Sequence, residues 1–545
     1  MEVTEAVDRV DPERWRATPP AERLRLLRLV RANIDRHFDE LTSADCRAKG
    51  IDPADPADAH QVGTSIQRVL VPMAANVSAA IDLYEGLVRD RPLQPLAVTP
   101  AGDGRFDVRV SPRGKDRLLN SDRTDLLRVV GEPRRVDPYA KPGGIVAVLG
   151  AGNVASSFEM IRALFVDSCV VVHKPHHLNE DADRVWEKVL QPLVDVHAAS
   201  FCPAAEGPAL TRDPRLSKIY FTGGTASAKA IMEATDTELV SECGGNNPCV
   251  VVPGDRPWTE REIRHQALQI ATIVTISGGS ICGRTQTLVT SRHWPQRRQF
   301  LDAITVALRD LTPGSSTGYP GVDKTFEAFR DAYPGGRLIQ PVDDRPASKV
   351  MVIEDVGTQG FALDHEAFCQ VMSEVALDVA PDAGTFLPAA AEFANENLLG
   401  TLAATILIDE DTKKAHTATV DRAVTDLRYG AIGVNTMPPV IWTNPYLIWG
   451  GNEEGREFVS GRGNFGNLLG YENAEKSIVV SGFTSPGHLL MTDKRDWLDL
   501  STRFARYAVR PTWPRLSALA LAATRGLFRR AGRPDASRRG RRATT

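Results

Sequence analysis

Cys282 lies in the run SGGSICG, residues 277–283, where glycines surround a thiol. Only the thiolate is a strong nucleophile, and an ordinary cysteine with a pKa of about 8.5 carries a few per cent of it at neutral pH. Glycines in such a loop let backbone and side chain approach a ligand closely. Glu242 stands 282 − 242 = 40 residues earlier, in ECGGNNP. A buried carboxylate tuned towards a pKa of about 6–7 can take a proton from water. Asn153 follows LGAG, Lys174 stands in HKP ahead of His176 and His177, and Glu366 and Phe368 stand in HEAFCQV. Gly223 and Gly224 follow YFT, where strand, glycine turn and helix start would aim backbone N–H groups at an anionic ligand. Each residue type also has a blander use: cysteine is most often buried core, glutamate surface, and asparagine after a strand a turn former. The G-x-G-x-x-G fingerprint is absent, so no one of these patterns is decisive.

The elements that must position them read as follows. Residues 1–100 show apolar residues at three-to-four spacing, as in AERLRLLRLVRANIDRHFDEL and HQVGTSIQRVLVPMAANVSAAIDLYEGLV, which predicts amphipathic helices. RFDVRV and LLRVVGEPRRV, between residues 105 and 139, predict an antiparallel ribbon. From Gly143 the order becomes GGIVAVLG strand, SSFEMIRALFVDS helix, CVVVHKP strand, ADRVWEKVLQPLVDV helix and SKIYFTGG strand. Strand, helix, strand at this spacing means parallel βαβ units. A further α/β run extends from Cys249 to about residue 421, and mixed loops end near Gly482.

Composition sets outer bounds. The 545 residues are 42% hydrophobic and 25% charged with 43 Gly and 36 Pro, which excludes collagen, low-complexity disorder and a disulfide scaffold. Seven cysteines, an odd number without a CxxC pair, argue against a disulfide framework or a zinc site, and no metal is expected. The acidic start MEVTEAVDRVDPERW lacks the features of a signal peptide, and no run reaches the roughly 20 apolar residues of a membrane span. A reducing, cytoplasmic setting is the expectation. The net charge of −4 carries no nucleic-acid signature.

Taken together, LGAGN (149–153), VVHKP (171–175), YFTGG (220–224), SECGGNNP (241–248), GGSICG (278–283), HEAFCQV (365–371), ANENLLGTLAA (394–404) and YGAIGVN (429–435) occur in one order and spacing. In this the chain resembles the NAD(P)-dependent aldehyde dehydrogenase superfamily, from about residue 20 to residue 480. The resemblance implies a Rossmann-type cofactor domain (1–104 and 137–245), an α/β catalytic domain (246–455), a small β oligomerisation ribbon (105–136 and 468–483) and a basic appendage (484–545). It implies oxidation of an aldehyde to a carboxylic acid with NAD or NADP by a homodimer or homotetramer. Cys282 would form the thiohemiacetal and thioester, Glu242 would activate water, and Asn153 would donate to the oxyanion. Lys174, Gly223, Gly224, Glu366 and Phe368 would bind the cofactor. NAD-preferring members carry a ribose-gripping Glu where His177 stands, so loss of that carboxylate makes NADP plausible. Three departures stand against the pattern: AGNVASS after the first strand, His177, and WGGNEEGREFVSGRGNFGNLLGYEN late in the chain. They leave open an acyl-thioester (acyl-CoA) reductase and a non-catalytic scaffold. Trp442, Tyr446 and Trp449 have two readings, an aromatic wall to the site and structural packing, of which packing is the favoured one.

The last residues have two readings. From Arg503 to Thr545 there are twelve Arg, no Lys and one acid. This is either a disordered, solubilising tail or, with Leu516, Leu519, Ala523 and Leu527 on one stripe after Pro514, a basic amphipathic helix making weak peripheral contact with an anionic membrane surface.

Overall fold

The computed structural model describes residues 2–311, 318–341, 348–488 and 494–531. The amino-terminal helices form where the apolar stripes predict them. Pro20–Arg36 buries Leu24, Leu26, Leu27, Val30 and Ile34, and the 30-residue helix Ala59–Val88 buries most of its length. The antiparallel ribbon then begins with β1 (Ala97–Gly102), eight residues before the expected 105, and continues through β2 (Arg105–Ser111) and β3 (Thr124–Val130). Val98, Thr99 and their flanks are exposed, so β1 carries no apolar alternation by which to read it.

The next five strands, β4 (Ile145–Leu149), β5 (Val170–Lys174), β6 (Ala199–Phe201), β7 (Leu216–Thr222) and β8 (Glu238–Glu242), form an all-parallel sheet in the order β6-β5-β4-β7-β8. Their near-continuous apolar runs are what a sheet covered by helices on both faces requires. The order reverses at β4, and open α/β sheets bind ligands at the carboxyl ends of strands at such a point. Asn153, Lys174, Gly223, Gly224 and Glu242 all follow or end strands on this edge.

A second sheet takes up the remainder. It contains β9 (Asn247–Val251), β10 (Thr285–Ser291), β11 (Arg337–Ile339), β12 (Val350–Ile353), β13 (Val371–Leu377), β14 (Ala403–Leu407) and β15 (Ala431–Val434). A small pair, β16 (Ile448–Trp449) with β17 (Phe465–Gly466), precedes β18 (Ala474–Val480). The eleven-stranded order β1-β2-β3-β18-β15-β14-β9-β10-β13-β12-β11 joins ribbon and catalytic sheet, with β18 antiparallel to β3 and parallel to β15. Cys282 precedes β10, and Glu366 and Phe368 precede β13. The site thus lies between the carboxyl edge of the first sheet and the amino edge of the second.

The basic tail is not a detached appendage. The helix Lys494–Val509 packs along Ala59–Val88, and the helix Trp513–Ala531 packs on Lys494–Val509. Leu516, Leu519 and Ala523 are buried with Trp497, Leu500 and Tyr507 in one apolar cluster. The stripe expected to face a membrane therefore faces the protein, because Trp497, Leu500 and Tyr507 of Lys494–Val509 offer it an apolar surface close by in the chain. Leu527 lies among side chains that are not described. No helix among the described residues is long and apolar enough to cross a membrane.

Candidate active site

The loop bearing Cys282 follows the helix Glu260–Thr275 through a tight turn. Ser277, Gly278 and Gly279 all have positive φ, and a Cβ on Gly279 would lie 2.5 Å from the Cys369 backbone. That geometry is why glycine stands there. The loop is held from three sides. Asn247 Nδ2 donates to the Cys282 carbonyl (2.6 Å) and to the Arg284 carbonyl (2.8 Å). Ser280 Oγ donates to the Phe368 carbonyl (3.1 Å), and Asn153 Nδ2 donates to the Ser280 carbonyl (3.0 Å).

The Cys282 thiol lies beside the Glu242 carboxylate, within reach of its charge. Burial and the adjacent Glu242 charge push the thiol well above its usual value, so the resting pair holds a protonated thiol against a basic carboxylate. Burial raises Glu242 to about 7, opposed by the neighbouring Cys282 thiol and by a hydrogen bond from Trp449. Trp449 Nε1 donates to Glu242 Oε1 at 3.1 Å. A carboxylate at that value is half ionised near neutrality, the useful condition for a general base. Glu159, at the start of the helix Glu159–Phe165, is a further buried carboxylate, raised to about 8 by burial with Glu242 as its charged neighbour.

The residues expected to hold a cofactor line the adjoining edge. Gly224 caps the helix Thr225–Ala234, with open space where a Cβ would stand, and Gly223 N–H donates to the Glu242 carbonyl (3.0 Å). Lys174 lies across Gly207, its Cε 3.2 Å from where a Cβ would be, and burial lowers its pKa. His177 is exposed, its ring 4.1 Å from that of His176. Glu366 rests on the Gly244 backbone, where a Cβ would come within 1.9 Å of its Oε1. Burial raises Glu366 to about 7, with the Gly245 N–H opposing. Phe368, at φ 45°, stacks edge-on against Tyr319 at 5.4 Å.

Cys282 opens into a cavity of about 230 Å³, lined also by Asn153, Trp442 and Trp449. Of the two readings for these tryptophans, packing was favoured over an aromatic wall; both line the cavity, and Trp449 contacts the candidate base. Asn247 and Gly244 were missed in the sequence. The doubled Gly in ECGGNNP signalled close approach, but nothing local paired Trp449 with a glutamate 207 positions away.

Residues 135–322 match the aldehyde dehydrogenase family. An aldehyde dehydrogenase of a Fusarium species is 28% identical over 173 residues, 31% of this chain and 34% of that one, so the chain spans about a third of that relative's length. A peroxisomal aminoaldehyde dehydrogenase of Malus domestica is 25% identical over 374 residues, 63% of this chain and 67% of that one. Among solved structures, the NADP-dependent glyceraldehyde-3-phosphate dehydrogenase of Bacillus halodurans, complexed with NADP, superposes with a TM-score of 0.59 over 88% of this chain and 91% of that one, at 16% identity. The two sheets in this order share the fold of that solved structure, and residues 135–322, which include the Cys282 loop, are the part of the chain that matches the aldehyde dehydrogenase family.

Proposed function

We propose that this chain oxidises an aldehyde to a carboxylic acid with NAD or NADP. The observation that carries the reading is the Cys282 thiol on the wall of a cavity, beside the buried Glu242 carboxylate, with the Asn153 amide holding the same loop. Glu242 takes the thiol proton as sulfur adds to the aldehyde carbon, giving a thiohemiacetal. An amide NH₂ carries two donors, and the Ser280 carbonyl takes one of Asn153's. The other supports the oxyanion, a contact worth about 3–4 kcal/mol in comparable sites. After the hydride has left, Glu242 releases the thiol proton to solvent and, ionised again, takes a proton from the water that adds to the Cys282 thioester; the C–S bond breaks, the acid leaves and the sulfur of Cys282 is free for the next turnover.

The cofactor-side residues fit a dinucleotide: Gly224 leaves space at a helix amino end, Lys174 lies at the end of β5, and Glu366 is seated on a glycine shelf. NAD or NADP, when bound, supplies the acceptor for the hydride that leaves the thiohemiacetal carbon. Lys174 would hold the adenosine ribose hydroxyls or a 2′-phosphate, the Gly223–Gly224 turn the pyrophosphate, and Glu366, beside Phe368, the nicotinamide ribose. An exposed His177 in place of a carboxylate favours acceptance of NADP as well as NAD. Assembly as a homodimer or homotetramer belongs to the same proposal. Contact of the tail with an anionic surface does not, since its Leu stripe is covered.

A carboxylate directly on the nucleophile favours water as acyl acceptor over the thiol of an acyl-CoA reductase. The test follows NAD(P)H absorbance over short, long-chain and aromatic aldehydes with both cofactors, with and without CoA. Turnover without CoA that Cys282→Ala abolishes supports the proposal. Strict CoA dependence replaces it with the reductase, and no turnover with an unreactive Cys282 leaves the scaffold.

A further inference from the structure

The cavity that begins at Cys282 ends on a segment that lies beyond every motif of the family resemblance. Part of its wall is formed by Trp497, Leu500 and Phe504, one face of the helix Lys494–Val509. Ile273, Val440, Trp442 and Trp449 line the same cavity.

This helix is built into its place. A Cβ on Gly63 of Ala59–Val88 would lie 2.8 Å from Trp497 Cδ1 and 3.2 Å from Leu498 Cα, so the two helices meet in a notch that only glycine leaves open. Trp497 Nε1 donates to Thr64 Oγ1 at 3.1 Å, and Tyr507 donates to Asp116 Oδ1 at 2.6 Å. Arg515 in the next helix reaches Asp35 at 2.9 Å. Leu500 is 1% exposed and Leu519, behind it in the next helix, is 0% exposed.

The charged groups on the cavity wall already have partners. Arg68 is engaged by Asp45 at 2.6 Å and by Ser277 at 3.0 Å, and Arg123 by Asp125 at 2.6 Å. His488 bonds His265 at 2.9 Å and Ser481 at 3.1 Å, and burial lowers it to about 4, which keeps it neutral. Arg68 shares Asp45 with Lys49, 2.7 Å from that carboxylate, a lysine whose charged form burial and Arg68 both disfavour. Among the described residues no carboxylate lines the cavity to receive a cation, and burying an unpaired charge against its largely apolar wall is costly.

Resting on the proposed oxidation, we infer that Lys494–Val509 is the specificity wall of the aldehyde cavity and that the substrate is an uncharged, apolar aldehyde. Its tail, a saturated chain or a ring, lies against Leu500 and Phe504. A space of about 230 Å³ holds several waters' worth of volume, enough for a medium-length chain.

The test compares kcat/KM for propanal, hexanal and octanal with that for succinic semialdehyde and a trimethylammonium aldehyde. It is repeated in Leu500→Ala, Phe504→Ala and Leu500→Met, each checked by thermal melting. A second readout needs no turnover: protection of Cys282 from iodoacetamide by octanamide against protection by succinamate. The expected result is a rise of about fourfold in kcat/KM per methylene until the cavity fills. Phe504→Ala and Leu500→Ala should lower octanal kcat/KM tenfold or more, mainly through KM, and propanal far less, while Leu500→Met stays near wild type. Preference for either charged aldehyde overturns the inference while leaving the oxidation intact, as does a uniform loss over all aldehydes in folded Phe504→Ala. Absence of turnover, with octanamide still protecting Cys282 and Phe504→Ala abolishing that protection, would sink the oxidation and uphold the apolar wall. Absence of both sinks both.

Discussion

Replacing Glu242 by Gln separates the chemistry of the carboxylate from its shape. Gln keeps an oxygen to accept from Trp449 Nε1, now at 3.1 Å, but it cannot ionise. With a pKa of about 7, wild-type Glu242 is about a tenth ionised at pH 6, about half at pH 7 and about nine tenths at pH 8. Thioester hydrolysis should accordingly rise about fivefold between pH 6 and pH 7 and level off above pH 8. In Glu242→Gln that limb disappears, and steady-state turnover falls by roughly 10²–10⁴-fold, the usual worth of a general base. Stability should move the other way. A folded-state value raised from 4.5 to about 7 means that the native protein binds the proton more tightly than the unfolded chain does. The stabilisation is fully present below pH 4.5 and is lost as pH rises through about 7, a total of about 3 kcal/mol. Glu242→Gln does not pay that ionisation cost, so its advantage over wild type should grow from pH 5 to pH 8, with about 3 kcal/mol as the ceiling. Denaturant titrations at pH 5, 6, 7 and 8 read the stability, and stopped-flow NAD(P)H formation reads the kinetics. Parallel stability curves for the two proteins, together with wild-type turnover in Glu242→Gln, would refute the assignment of a buried, titrating base.

Gly244→Ala puts a methyl group 1.9 Å from Glu366 Oε1, so the carboxylate must leave its shelf. KM for NAD(P) should rise at least tenfold while iodoacetamide still labels Cys282, and an unchanged KM would remove Glu366 from cofactor binding. His177→Glu should shift preference towards NAD, from a wild-type ratio under about tenfold, as measured by kcat/KM for both cofactors. Strict NAD use by the wild type would show that another group excludes the 2′-phosphate. Deleting residues 512–545 uncovers Trp497, Leu500 and Tyr507 and should lower the melting temperature measurably. Leu519→Ala alone should cost about 2–5 kcal/mol in denaturant unfolding, and a truncated protein as stable as the full chain would contradict the packing described for the tail.

Strands β4 and β5 were legible because a sheet buried on both faces needs apolar runs, and IVAVL and VVVHK supply them; β7, LSKIYFT, was legible from its shorter apolar stretch IYF ahead of a glycine pair. The candidate site was legible for a related reason. Its members sit at strand ends and in glycine turns, where local sequence records the geometry. β1 was hidden, because an exposed edge strand has no burial pattern to display. The tail misled in a different way. A Leu stripe beside arginines reads alike whether it meets a lipid surface or another helix, and the helix Lys494–Val509 that receives it is itself held by a notch at Gly63, more than 400 positions away. Trp449 escaped for the same cause, since its partner Glu242 is set by tertiary packing alone.

The central claim is a covalent acyl group on Cys282. Glu242→Gln, mixed with octanal and NAD or NADP and quenched in acid, should gain the mass of one octanoyl group, and peptide mapping should place it on Cys282 among the seven cysteines of the chain. The account predicts one adduct per chain, formed together with one equivalent of reduced cofactor and absent from Cys282→Ala. Reduced cofactor accumulating over many turnovers in Cys282→Ala, or an adduct on any other residue, would contradict it.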